Sequence, residues 1–397
     1  MTALVYISSS TVEGVIMFLR TGQLTTSGNS MSSKIYEERV KRFQNLMLEN
    51  NIDVVLIRTL SSFAYFTGIK WLRPALIIPV EGDPIAFIFE DEVSDFTRRS
   101  WIEEIRTWRR VEDLMRGISG FIRRSGSKVV GFDYSIERDA YVLFFEMFKK
   151  LTRGVEVKDV HGLIMQLRMI KDSYEIELIN KASRTCVKGM EAAVDAIDIG
   201  KSELDIASEV LYVLMKSGSR HPLVYVNAGP SIKIHAEPLT DSTVRKGYPV
   251  EIVIAADYEG YYSNITRTVF VGGINREQRD IMKTYLDVHS FVEKDLIPGR
   301  KLIDIQKKVK ELFENRGYGR NFLLGFLHGV GLLVEEDPIT TIVPPHRQYT
   351  VSENMVLAAL HSPLSIPGVG VIKYEDTYVI EKDRAKRITD YEYEIVK

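Results

Sequence analysis

From Ile35 to Asn50 the apolar residues Val40, Phe43, Leu46 and Met47 recur at three- and four-residue spacing among charges, predicting an amphipathic helix closed by Asn50-Asn51. Short runs rich in branched residues follow. Val54 to Ile57 and Ala75 to Ile78 read as buried strands, the second closed by the turn residues of EGDP, and Ile85 to Phe89 reads as a third. A helical stretch carrying Val111, Leu114, Met115 and Ile118 precedes a strand at 128–132 and a helix at 140–151. Strands alternating with helices over 34–160 predict an α/β domain. It contains no GxGxxG or P-loop motif, so nucleotide binding has no support.

Residues 161–176 form the expected join. Asp172 or Ser173 opens a helix whose first turn carries Glu175 and Glu177, where negative charge complements the helix dipole. Helices are expected over 174–196 and over 203–217 behind a Ser202 cap. Strands dominate from Leu223 onward, with helices near 276–292 and 302–316. This order is α+β and defines a second domain over 166–397. Residues 1–33 read differently: the apolar run from Val15 to Leu19 is too short for a signal-peptide core, and TGQLTTSGNSMS is small and polar. A disordered extension is expected there.

The charges nearly balance, 52 Lys and Arg against 54 Asp and Glu, and the basic residues are dispersed, which argues against a nucleic-acid partner. No apolar run reaches membrane length, so no membrane partner is expected. The single cysteine, Cys186, excludes an internal disulfide and suits a cytoplasmic protein.

Five segments carry a specific pattern: LRMIKDSYEIELINKAS, VNAGPSIKIHAEP, KGYPVEIVIAADYEGYYSNITRTVFVGG, FLHGVGLLVEEDP and GVGVIKYEDTYVI. Their order resembles the pita-bread peptidase family, which includes Xaa-Pro dipeptidases (prolidases), aminopeptidase P, methionine aminopeptidases and creatinase. The earlier NIDVVLIRTLSSFAYFTG resembles the amino-terminal domain of the Xaa-Pro and creatinase branches. The resemblance covers residues 34–397 and implies a creatinase-type α/β N-terminal domain followed by an α+β pita-bread domain.

Active peptidases of that family hold two divalent ions with two aspartates, a histidine and two glutamates. Counting outward from NITRT places these positions at Val253, Asn264, His328, Leu360 and Glu375. Three of the four carboxylates are replaced. Two dications about 3.5 Å apart repel by on the order of 20 kcal/mol at an effective dielectric near 20, and ligand charge must offset this. Glu375 alone is negative among the five. The resemblance therefore implies no cofactor, or at most one weakly bound divalent metal (Mn, Co or Zn) on His328, Glu375 and the Asn264 carbonyl oxygen. Glu251 shares a strand face with Val253 but lies roughly 6.6 Å along it, too far to substitute without reshaping the site.

His235 in IHAEP matches the family histidine that binds substrate and shuttles a proton, a role that titration near neutrality suits. The second such histidine is replaced by Glu335. The expected catalytic residues are thus His235, Glu335 and Glu375, with His235 and Glu335 contacting substrate. His361 is read as structural, as are His161, His221, His289, His346 and Cys186. Asp257 is assigned to a hairpin turn.

Three functions are compatible with these residues. The first is a family homologue with a degenerate centre, which binds a peptide or small amide with noncanonical or no peptidase activity. The second is a functional metal-dependent Xaa-Pro peptidase, and the third a metal-free creatinase-like hydrolase using His235 with Glu335 or Glu375. The resemblance also implies a homodimer.

Overall fold

The computed structural model describes residues 29–138, 140–322, 325–392 and 394–397. Helix α1 (Asn29–Glu49) turns Val40, Phe43 and Met47 inward, as their spacing predicts. The extension expected over 1–33 otherwise lies outside the described residues. Strand β1 (Val54–Ile57), helix α2 (Leu60–Thr67), β2 (Leu76–Pro79), β3 (Ile85–Phe89), α3 (Val93–Arg99) and β4 (Glu104–Trp108) follow. Helix α4 (Val111–Arg124), β5 (Val129–Phe132), α5 (Tyr141–Leu151), β6 (Glu156–Asp159) and α6 (His161–Met169) complete the domain.

Its six strands form one mixed sheet in the order β4-β3-β2-β1-β5-β6. Central β1 is buried on both faces: Val54 and Leu56 pack with Ile118 and Phe148 of α4 and α5, while Val55 and Ile57 pack with Phe43 and Met47 of α1. Sequence patterning missed β4 and β6, which are charged, partly exposed edge strands. It also missed α2, where seven of eight residues are buried and no polar stripe reveals the helical period.

Asp172 caps helix α7 (Ser173–Ala196) by accepting from the Glu175 backbone N–H, and Ser202 caps α8 (Glu203–Lys216) in the same way. Strands β7 (Leu223–Ala228), β8 (Pro249–Tyr258) and β9 (Tyr261–Phe270) form an antiparallel sheet. One face carries Val226, Ile252, Ile254, Ile265 and Val269 into a core with α7 and α8. Strand alternation puts Tyr225, Asn227, Glu251, Val253, Asn264, Thr266 and Thr268 on the other face.

Helices α9 (Arg276–Asp295) and α10 (Leu302–Asn315) cover a second sheet, built from β10 (Leu327–Gly329), β11 (Glu336–Ile339), β12 (Val356–Ala359), β15 (Asp376–Ile380) and β16 (Ala385–Arg387). A small hairpin, β13 (Leu364–Ile366) and β14 (Gly370–Ile372), precedes β15. The two sheets meet where Thr266 and Glu375 exchange backbone hydrogen bonds of 3.1 and 3.2 Å. A continuous apolar core also joins the domains, packing Phe63 and Trp71 with Tyr261, Val330 and Val379. Among the described residues no helix is long and apolar enough to cross a membrane.

Candidate metal and catalytic centre

Segment 373–375 runs beside β9 where the two sheets meet. Thr268 Oγ1 donates to the Lys373 carbonyl (2.9 Å) and accepts from its N–H (3.0 Å), while Thr266 holds the backbone of Glu375. Extended backbone places residues two apart on one face, so Lys373 and Glu375 lie side by side. Lys373 Nζ is 2.9 Å from Glu375 Oε2, and both residues are fully buried. The same oxygen accepts from Thr266 Oγ1 at 2.8 Å.

The other oxygen, Glu375 Oε1, faces two histidines. His361 Nδ1 lies 2.8 Å from it and His328 Nε2 3.8 Å, and the two nitrogens are 3.2 Å apart. His328 is oriented by donating Nδ1–H to the Gly329 carbonyl at 2.9 Å, which leaves Nε2 as a lone-pair donor. His361 Nε2 lies 3.4 Å from Oε1 of Glu335, at the more open side of the cluster.

Burial is the main force lowering the His361 pKa to about 4, and Lys373 adds to it. Burial would raise the Glu375 carboxyl, but Lys373, followed by His361, holds it well below the usual carboxylate range. His235 takes a left-handed conformation (φ 50°), stacks on Tyr225 with ring centroids 5.6 Å apart, and lies 4.6 Å from the His361 ring. Lys373 Nζ is 3.2 Å from His235 Nε2. An ammonium only donates, so Nε2 accepts and the neutral ring carries its proton on Nδ1. Burial first, then Lys373 and His361, pushes His235 down to about 3. This moves the residue away from the titration near neutrality expected for it.

Of the residues singled out in the sequence, the structure brings His328, Glu335, Glu375 and His235 around one centre. Val253 and Asn264 lie on the sheet face that carries Thr266. Leu360 does not join them: its backbone takes φ 65° and its side chain is buried in the apolar core with Phe326 and Tyr285. That twist brings His361 to the centre, correcting its reading as structural. Asp257 lies near the end of β8, accepting from Ser219 Oγ and the backbone of Arg220 and His221, in a structural role.

Sequence reasoning missed Lys373 and His361. The first was legible, because Lys373 precedes Glu375 by two residues on extended backbone. The second was not, because strand alternation cannot anticipate a left-handed residue at Leu360.

A tetrahedral ion with bonds of about 2.0–2.1 Å has ligands roughly 3.3 Å apart. The separations among His328 Nε2, His361 Nδ1 and Glu375 Oε1, 2.8 to 3.8 Å, fit such a centre. His328, Glu335 and His361 likewise offer ligand atoms that all lie within 4.8 Å of one another. Asn264 Oδ1 is buried on the adjoining face without a hydrogen-bond partner. Glu251 adds a buried carboxyl that desolvation pushes up to about 7 against the pull of Lys373.

Residues 177–382 match the family described as metallopeptidase family M24, and residues 39–170 match the creatinase/prolidase N-terminal domain. The chain is 28% identical over 364 residues to the Xaa-Pro dipeptidase of Pyrococcus horikoshii, covering 91% of this chain and 99% of the relative. It is 27% identical over 362 residues to the Xaa-Pro dipeptidase of Pyrococcus furiosus, covering 91% and 100%. The crystal structure of the prolidase from P. horikoshii OT3 superposes with a TM-score of 0.82 at 28% identity, over 90% of this chain and 99% of that one. An X-Pro aminopeptidase from Thermotoga maritima shares the fold, with a TM-score of 0.76 at 22% identity over 87% and 98%.

These findings correct the expectation of no cofactor, or of at most one weakly bound ion. That expectation counted only Val253, Asn264, His328, Leu360 and Glu375. A metallopeptidase family match and the convergence of His361 and Glu335 on His328 overturn it.

Proposed function

The chain belongs to metallopeptidase family M24 and is a homologue of Xaa-Pro dipeptidases, and from that premise we propose that it hydrolyses the amide bond of a small peptide or peptide-like amide through a rearranged metal centre. His328 Nε2, His361 Nδ1 and Glu375 Oε1 would hold a divalent ion, with Glu335 on the far nitrogen of His361. When bound, that ion supplies Lewis acidity and lowers the pKa of water.

The remaining roles fall to the chain's own groups. His235, kept neutral by burial, presents Nδ1–H as a donor to a substrate carbonyl while Lys373 fixes its other nitrogen. Glu335 is a third exposed and sits at the open edge of the cluster. Its carboxylate can receive a substrate ammonium. Tyr225, stacked on His235, supplies an aromatic wall. Assembly as a homodimer belongs to the same proposal, and sedimentation showing only single chains would remove it.

One observation carries this reading: His328 and His361 converge on the Glu375 carboxylate, with Glu335 beside His361, in a family of metallopeptidases. The test is a panel of Xaa-Pro dipeptides and small amides incubated with protein loaded with Mn, Co or Zn. Turnover that depends on the ion and disappears in His361→Asn and Glu375→Gln is expected. No turnover with any ion, or turnover untouched by His361→Asn, would overturn it.

A further inference from the structure

We infer that Lys373 is a built-in cation, standing on Glu375 where a second positive centre would otherwise sit, and that it limits divalent-ion uptake on that side of the cluster. The inference rests on the metal-binding reading above for its starting point. Its evidence is the distribution of bonds around one carboxylate.

Glu375 divides its two oxygens between opposite neighbours. Oε1 faces the histidines His361 and His328, whereas Oε2 is taken by Lys373 Nζ at 2.9 Å and Thr266 Oγ1 at 2.8 Å. Lys373 cannot swing aside cheaply. Its backbone is clamped on both sides by Thr268 Oγ1, its side chain is fully buried, and its ammonium also donates to His235 Nε2 at 3.2 Å. A fixed unit charge there repels any cation approaching Oε2, and low-dielectric surroundings strengthen the repulsion. The face beyond it carries Val253 and Asn264, which add no negative charge, and Glu251, whose carboxyl burial pushes up to about 7 despite the pull of Lys373.

The lysine thus does two things at once. It neutralises Glu375, a carboxylate that burial would otherwise penalise, and it fixes the tautomer of His235. It is a positioning residue: it acts through Glu375 and His235.

The experiment compares Mn²⁺ and Zn²⁺ uptake, by calorimetry and elemental analysis, in the wild-type chain, Lys373→Met, Lys373→Arg and His361→Asn. Lys373→Met should bind the ion at least about tenfold more tightly than wild type or take up more of it, because a unit charge close to the site has been removed. Lys373→Arg, which keeps the charge, should match wild type. Should Lys373→Met fail to fold, Lys373→Gln replaces it, keeping a donor without charge.

The two readings fail separately. If the wild type and Lys373→Met bind equally, or Lys373→Met binds less, the inference is overturned, while ion binding lost in His361→Asn would leave the metal centre standing. If the wild type takes up no ion and Lys373→Met does, the inference stands and the wild-type metal centre falls.

Discussion

His361 Nδ1 lies 2.8 Å from Glu375 Oε1, while its neighbour Leu360 faces the opposite way into the apolar core. One left-handed residue therefore exchanges an aliphatic side chain for an imidazole at the point where the two sheets meet. The exchange places an imidazole nitrogen 3.2 Å from His328 Nε2. It also directs where substitutions should be felt.

His361→Asn removes the nitrogen, Nδ1, that the proposed centre takes from this residue. Metal affinity should fall at least about 100-fold, more than the 10–100-fold typical of losing a residue that only orients a ligand. Calorimetric titration with Zn²⁺ checks this, and unchanged affinity would place the ion elsewhere.

Chelation should lower thermal stability. An ion at about 100 times its Kd stabilises the folded chain by roughly 2.7 kcal/mol, a shift of several degrees in Tm. Melting curves with EDTA and after reloading should separate and then coincide. Identical curves throughout would count against a resident ion.

Leu360→Glu should fail to create a ligand. The side chain enters the apolar core beside Phe326 and Tyr285, and an unpaired carboxylate there costs at least about 3 kcal/mol. Val253→Asp with Asn264→Asp, on the face that carries Thr266, should raise ion uptake instead. Denaturant unfolding and elemental analysis distinguish the two cases.

Arg267→Met should be strongly destabilising. Its guanidinium donates to Asp376 Oδ1 at 2.8 Å and to the Glu375 carbonyl at 3.0 Å, with all three groups buried. Removing one partner of a buried pair costs about 3–5 kcal/mol, lessened here because Asp376 keeps His289 at 3.1 Å and Arg387 at 3.8 Å. Chemical denaturation measures the loss, and metal uptake should fall with it as Glu375 loses its support.

In the N-terminal domain, Asp133 and His161 should give stability a pH signature. Burial opposes ionisation of Asp133, but hydrogen bonds from His161, Ser135 and Ser62 depress its pKa from 3.8 to about 2. That contribution, about 2 kcal/mol, is complete above the unfolded value and is lost as pH falls through about 2. His161 is raised above 6.5, chiefly by its hydrogen bond to Asp133. Its contribution is present below the unfolded value and is lost as pH rises through the folded one. Asp133→Asn should therefore destabilise most between about pH 4 and 6, with the difference from wild type narrowing on both sides. A pH-independent difference would reject this account.

Local signals determined much of this protein. Helical spacing in α1, the Asp172 and Ser202 caps, and the branched runs of β1 and β2 act between residues close in the chain, so they are legible without coordinates. The ordered motifs likewise located His235, His328, Glu335 and Glu375. Tertiary structure alone decided what those residues do together. It turned Leu360 inward, brought His361 to His328, seated Lys373 on Glu375 and pushed His235 out of its ordinary titration range. The reason is physical: pKa shifts and ligand sets depend on burial and on distances between residues far apart in sequence, and a single positive φ can reverse which neighbour faces the site.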